Sequence, residues 1–348
     1  MLIVHAVPRG VDRERKRILE EIIQGLGSEY KFALAVPDGC LSEYKHLSDY
    51  AEIIEVKTSE NDDNMLRDIY NYKRLYDKIR PAVVHSHGSV SANLGAFLSA
   101  DKDTVSIKDY YASRMLRRVF EALSPRIRLS LTISYSPSDK QALYHGGVRS
   151  SSIIEVPYGV KSNARVLDCT ERKTDTPLII GSFDVGEECA ILLSAFSIVS
   201  KGKNALFYLC GPDAFSDLAG HLASALGIGR RVVFFAPGSM PGECMSRADA
   251  FVLSSLDTDV CPIFALEEMS YSTAVVLPDT PRCRDLIRHG REGLIYSFGD
   301  SFSMADRITY LINYREECER MGKAAYMCAG EHSLCSMLDA FRSVYNSV

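Results

Sequence analysis

Between Ala248 and Asp279 the chain reads ADAFVLSSLDTDVCPIFALEEMSYSTAVVLPD, and this stretch limits the fold more than any other. Ala250–Leu253 and Ala274–Leu277 are unbroken apolar runs of strand length. A strand with one wet face alternates polar and apolar residues. One that is apolar throughout is buried on both faces, as in a parallel sheet covered by helices. A compact helix beginning near Pro262 joins the two runs, so the stretch reads as a strand–helix–strand crossover. Asp259 falls in the loop after the first run, and Glu267 in the N-terminal part of the helix. In an open parallel sheet ligands bind beyond the carboxyl ends of the strands, which is the side both acids occupy.

The same alternation fills the chain. Leu2–Val7 leads into a segment whose Ile18, Leu19, Ile22, Ile23 and Leu26 share one helical face. Lys31–Val36 and Ile53–Val56 read as strands. A helix over Asn64–Arg80 then precedes the strand Ala82–His85, and Thr104–Lys108, Leu131–Ser134 and Ile153–Val156 follow. The polar segment Lys161–Pro177 interrupts this rhythm before it restarts at Leu178–Gly181. With 348 residues, two α/β domains are expected. The first spans 1–165 and takes back a C-terminal helix at 333–348; the second spans 166–332.

Composition removes several function classes. A net charge of −5 gives no electrostatic case for nucleic acid, and no apolar run approaches the roughly 18 residues of a membrane span. The opening MLIVHAVPRG reads as a strand rather than a signal peptide. None of the ten cysteines stands in C-x-x-C spacing, so reduced thiols and a cytoplasmic location are expected. No G-x-G-x-x-G follows either first strand, which argues against a dinucleotide oxidoreductase. His85 and His87 share one strand face, yet the sequence places no third ligand near them, and neither a metal nor a cofactor is expected.

Ser254, Ser255, Asp259, Phe264, Glu267, Met269, Val275 and Val276 resemble in register the donor-sugar stretch of the family 4 glycosyltransferases, retaining enzymes of group 1 type. The resemblance extends over nearly the whole chain. Arg9-Gly10-Val11-Asp12-Arg13 is similar to the family's Gly-Gly-x-Glu-Arg opening, and His85-Ser86-His87-Gly88 to its Val-Val-His-x-His-Gly. It implies the GT-B fold, two Rossmann-like doubly wound domains facing a central cleft. It also implies transfer of a sugar from a nucleoside diphosphate sugar to a glycan or lipid-linked acceptor with retention. The implied donor site includes Gly10, Gly181, Ser182 and Glu267, and Arg9, Arg282 and Arg284 are the cations placed to join it. Asp259 and Lys108 lie at the reacting sugar, and His87 on the acceptor side. Contact with a partner transferase or with the cytoplasmic membrane face is a further implied association.

The sequence departs from the family where charge matters. In the pattern Arg-Leu-x-x-x-Lys-Gly the arginine is Ser182 here and the lysine Glu187, and Lys108 or Asp109 replaces the histidine of Thr-x-His. Fixed cations stabilise the leaving diphosphate; one such contact at about 4 Å is worth roughly 4 kcal/mol at an effective dielectric near 20. Two readings therefore stand. In one, other cations, Arg9 first and Arg282 or Arg284 next, rebuild the phosphate site. In the other, the chain is a catalytically inactive relative that binds or stabilises another transferase.

Overall fold

The computed structural model describes residues 1–11, 13–59, 64–99, 104–109, 130–161, 176–258, 260 and 262–348. These divide into two units, Met1–Tyr158 with Cys335–Val348, and Gly159–Leu334. The expected boundary at 165/166 lies outside the described residues.

In the first unit the strands are β1 (Leu2–Ala6), β2 (Lys31–Pro37), β3 (Ala51–Val56), β4 (Val83–Ser86), β5 (Val105–Asp109), β6 (Ser130–Ser134) and β7 (Ile153–Glu155). They form one parallel sheet in the order β3-β2-β1-β4-β5-β6-β7. Helices α1 (Arg13–Leu26), α2 (Leu41–Tyr44), α3 (Met65–Ile79), α4 (Val90–Phe97) and α5 (Pro137–His145) lie between them. The five apolar residues of α1 picked out by spacing are all buried. Val4, Ala6, Ala33, Ala35 and Val84 pack against Tyr72 and Tyr76 of α3, which explains why these strands carry no polar alternation.

The second unit repeats the plan. Strands β8 (Leu178–Ser182), β9 (Leu206–Cys210), β10 (Val232–Phe235), β11 (Ala250–Leu253), β12 (Ala274–Pro278) and β13 (Gly293–Tyr296) make a parallel sheet ordered β10-β9-β8-β11-β12-β13. The helices are α6 (Gly186–Gly202), α7 (Ser216–Ala225), α8 (Gly242–Ser246), α9 (Ile263–Met269), α10 (Pro281–Leu286), α11 (Ser301–Asn313) and α12 (Arg315–Glu331). Phe196 of α6 stacks on Phe207 of β9 with ring centroids 4.2 Å apart, inside a core that includes Ile179, Leu192, Val252, Val276 and Ile308. Gly181 has a packing reason: a Cβ there would meet Leu192 Cδ2 at 2.6 Å and Phe196 Cζ at 2.9 Å, so α6 lies against β8 only because the side chain is absent. Each sheet reverses its strand order once, beside β1 and β4 in the first unit and beside β8 and β11 in the second. Those reversal points are where doubly wound sheets open a crevice at their carboxyl ends.

The last helix, α13 (Leu334–Asn346), packs on the first unit. Phe341 and Tyr345 are fully buried, and the Arg342 guanidinium donates to both oxygens of Glu29 at 2.7 and 2.6 Å. Tyr30 donates to Asn346 Oδ1 at 2.9 Å. Among the described residues no helix is long and apolar enough to cross a membrane.

Candidate functional site

At the reversal point of the second unit, β8 and β11 are zipped to their ends: Leu253 pairs with Ser182, and Ser254 N–H donates to Ser182 O at 2.9 Å. Beyond this pair the two loops are held together by a residue the sequence reading passed over, Glu188. Its Oε2 accepts from the backbone N–H groups of Asp184 (2.8 Å) and Val185 (3.2 Å), and its Oε1 from Leu256 N–H at 2.7 Å. The Ser254 hydroxyl donates to Glu188 O at 2.9 Å. A carboxylate reaching back from the first turn of α6 is half of a capping box, satisfying donors that a helix start leaves open. Leu256 lies on a different crossover, so the same carboxylate also fixes the spacing of the two loops. The local signal was an acid three residues after Val185; its partner, 68 residues on, carried none.

Glu267 is half-buried and lies in the C-terminal half of α9, not near the helix start. The helix is short, Ile263–Met269, because Pro262 removes a donor at its entry and Ser272 leaves it in the left-handed region at φ 61°. Ser272 stands where the family pattern has glycine, and its backbone shows why glycine suits the position. Tyr271 precedes it directly; burial first, then Glu267 and Glu268, raise its phenol above the ordinary value. Asp259 lies outside the described residues.

Arg282 and Arg284 lie on a helix. Thr280 caps a helix, accepting from Cys283 N–H at 3.3 Å, and Pro281 begins it, so both arginines ride on α10. They part company there. Arg282 is buried and has a bonding partner of its own. Arg284 is exposed and ion-paired, Nε to Asp279 Oδ1 at 2.5 Å. Beside Arg282, the Cys283 thiol is pushed up to about 12 by burial, which makes it inert. Ser182 is buried at the end of β8.

In the first unit, Gly10 adopts φ 69°, and no atom of the described residues lies within 4 Å of a Cβ built there. Its glycine serves a left-handed turn. Arg9 is drawn to the β2 end: its Nη2 donates to Asp38 O at 2.9 Å and to Asp38 Oδ1 at 3.1 Å. Lys108 is half-buried on β5.

His87 is buried in a cluster invisible to sequence spacing. His5 on β1 pairs in register with His85 on β4, and Asp109 closes β5 alongside. His85 Nε2 bonds Asp109 Oδ1 at 2.9 Å, and His87 Nδ1 bonds Asp109 Oδ2 at 2.6 Å. His5 Nδ1 lies 2.9 Å from His87 Nε2, and the Tyr345 hydroxyl 2.8 Å from His85 Nδ1. Burial, and then the neighbouring histidines, hold His5 well below the usual histidine range, and burial lowers His85. Burial alone would raise Asp109, but His87 and His85 outweigh it and keep the carboxylate ionised. An ionised carboxylate only accepts, so the bonding assigns protons to His85 Nε2 and His87 Nδ1. The sequence showed two histidines; the parallel register supplies the third from 80 residues away.

Comparison with known proteins follows the same geography. Residues 173–327, less than half of the chain, match the family Glycosyl transferases group 1. EpsD of Bacillus subtilis (strain 168), which carries a provisional glycosyltransferase name, is 28% identical over 137 residues, 39% of this chain. That match spans about a third of EpsD, 36% of its length. A glycosyltransferase from Rickettsia africae ESF-5 superposes with a TM-score of 0.77 at 14% identity, covering 99% of this chain and 98% of its own. HepE of Anabaena, solved with UDP, superposes with a TM-score of 0.77 at 15% identity over the whole of both chains. These likenesses establish the GT-B fold, with two Rossmann-like parallel sheets.

Proposed function

We propose that this chain is a glycosyltransferase whose second unit binds a nucleoside diphosphate sugar, and that it passes the sugar with retention to a glycan or lipid-linked acceptor. The observation that carries this reading is the position of the β11–α9 crossover. It lies within the stretch matched to the group 1 glycosyltransferases, at the reversal point of a parallel sheet. In this reading Glu267 accepts hydrogen bonds from the ribose hydroxyls, as an ionised acceptor suited to hydroxyl donors. Asp259 contacts the sugar. The bond from the anomeric carbon to the leaving diphosphate oxygen breaks as the acceptor oxygen bonds on the same face, and the acceptor's hydroxyl proton passes to the departing phosphate oxygen. The charge left on the diphosphate is met by Arg9 first, exchanging Asp38 for phosphate, and by Arg282 or Arg284 next. HepE, solved with UDP-glucose as well as UDP, makes a uridine donor the first to test.

One observation favours the second reading, a binding partner without turnover. The backbone donors of Asp184, Val185 and Leu256 already hold the Glu188 carboxylate. A diphosphate arriving at this helix start meets an anion in place. A single experiment separates the two: incubate the full chain with labelled nucleotide sugars, measure donor hydrolysis, and read the anomer of the released sugar by NMR. Release of the donor's own anomer, lost in Glu267→Gln, supports the retaining transferase. Absence of hydrolysis with every donor leaves the binding partner.

A further inference from the structure

We propose that His5, His85 and His87 form a structural site for one divalent transition metal of zinc's chemistry in the first unit, independent of the donor site. One ring nitrogen from each histidine lies within 4.8 Å of those of the other two, and all three side chains are buried. Three separate features shape the cluster for a metal. The Asp109 carboxylate binds the far N–H of both His85 and His87, which turns His85 Nδ1 and His87 Nε2 away from it as lone-pair donors. A carboxylate behind a ligating histidine is the usual outer partner of a metal-bound imidazole, fixing tautomer and ring orientation. The Tyr345 hydroxyl, 2.8 Å from His85 Nδ1, brings a fourth donor atom from α13.

The third feature is the cost of burying these groups. Read as hydrogen bonds alone, His5 Nδ1–H donates to His87 Nε2 and Tyr345 O–H to His85 Nδ1. These bonds hold a cluster that has removed three imidazoles and a carboxylate from water. A dication shared by the three rings offsets that desolvation, and Asp109 offsets part of its charge. Two nitrogens on one tetrahedral zinc at 2.0–2.1 Å stand about 3.3 Å apart. The 2.9 Å between His5 Nδ1 and His87 Nε2 therefore opens by only a few tenths of an ångström. Three imidazoles and a phenol suit zinc, cobalt or nickel rather than calcium or magnesium, which take oxygen ligands. Complete burial describes a closed, structural site, loaded as α13 docks on the sheet.

The test uses the full chain, stripped with a chelator and titrated with Co²⁺ as a spectroscopic probe and Zn²⁺ as a competitor. The expected result is one equivalent of Co²⁺ with the visible bands of a tetrahedral nitrogen and oxygen site, displaced by Zn²⁺. The bands should vanish in His5→Gln and in His87→Gln. At a hundredfold excess over Kd, the metal multiplies the folding equilibrium of the wild type about a hundredfold. In a domain of this size that raises Tm by roughly 5–10 °C. The Tm arm needs no variant, so a substitution that fails to fold leaves the proposal open to refutation. A wild type that takes up no Co²⁺ and gains no stability overturns it, leaving a hydrogen-bonded chain. So do bands that survive both substitutions, which place the metal on other ligands, or thiolate charge-transfer absorption, which places it on cysteines.

Discussion

Replacing Glu188 by alanine should destabilise the second unit and, at the same time, tighten its hold on a diphosphate. The carboxylate accepts three backbone N–H bonds at 2.7, 2.8 and 3.2 Å and is buried. Hydrogen bonds to a charged group contribute about 1.5–3 kcal/mol each when fully buried, and about 1 kcal/mol where water can take the donor back. The three donors lie in half-buried or exposed loop residues, so the lower value applies, and the loss sums to about 3 kcal/mol. For a domain of this size that lowers Tm by roughly 6–12 °C. Glu188→Gln keeps one acceptor oxygen and should lose about half as much. The binding arm has the opposite sign. A unit negative charge about 8 Å from a diphosphate charge costs roughly 2 kcal/mol at an effective dielectric near 20, and salt reduces this to about 1 kcal/mol. Removing it should tighten nucleoside diphosphate binding about fivefold in calorimetric titration. A Tm unchanged within about 1 °C would refute the bridging role. An affinity that falls would mean that Glu188 belongs to the ligand site rather than competing for it.

Glu267→Gln should weaken nucleoside diphosphate binding by about 1–3 kcal/mol in calorimetry, and unchanged affinity removes Glu267 from the ribose site. Ser272→Gly should raise the thermal midpoint, because a non-glycine residue in the left-handed region costs about 1 kcal/mol; a lowered midpoint would show that the serine's own contacts outweigh its backbone strain. Arg9→Ala should change stability by less than about 1 kcal/mol in urea unfolding, since its bond to Asp38 is partly exposed, yet abolish donor turnover if Arg9 meets the phosphate. Turnover that persists in this variant passes that role to Arg282 or Arg284.

Much of the fold was legible because it follows from local apolar patterning. Ala250–Leu253 and Ala274–Leu277 became β11 and β12 with every residue buried, and the periodic face of α1 is the face it buries. The site was less legible, for two physical reasons. Parallel register joins residues distant in the chain, so His5, His85 and Asp109 converge from three strands with no spacing to announce it. Glu188 shares the difficulty, since half its bonding is a local cap and half reaches another crossover. A charged side chain's role also depends on its partner more than on its place in a motif. Arg9 faces Asp38, Arg284 faces Asp279, and Arg282 is buried, although all three were candidates to replace the missing phosphate cations.

The most direct test of the donor reading is calorimetric titration of the full chain with UDP-, GDP- and ADP-sugars. Binding of at least one with a Kd below about a millimolar, about −4 kcal/mol or better, weakened by Glu267→Gln, is the result the account predicts. No binding of any nucleoside diphosphate or its sugar at millimolar concentration would contradict it.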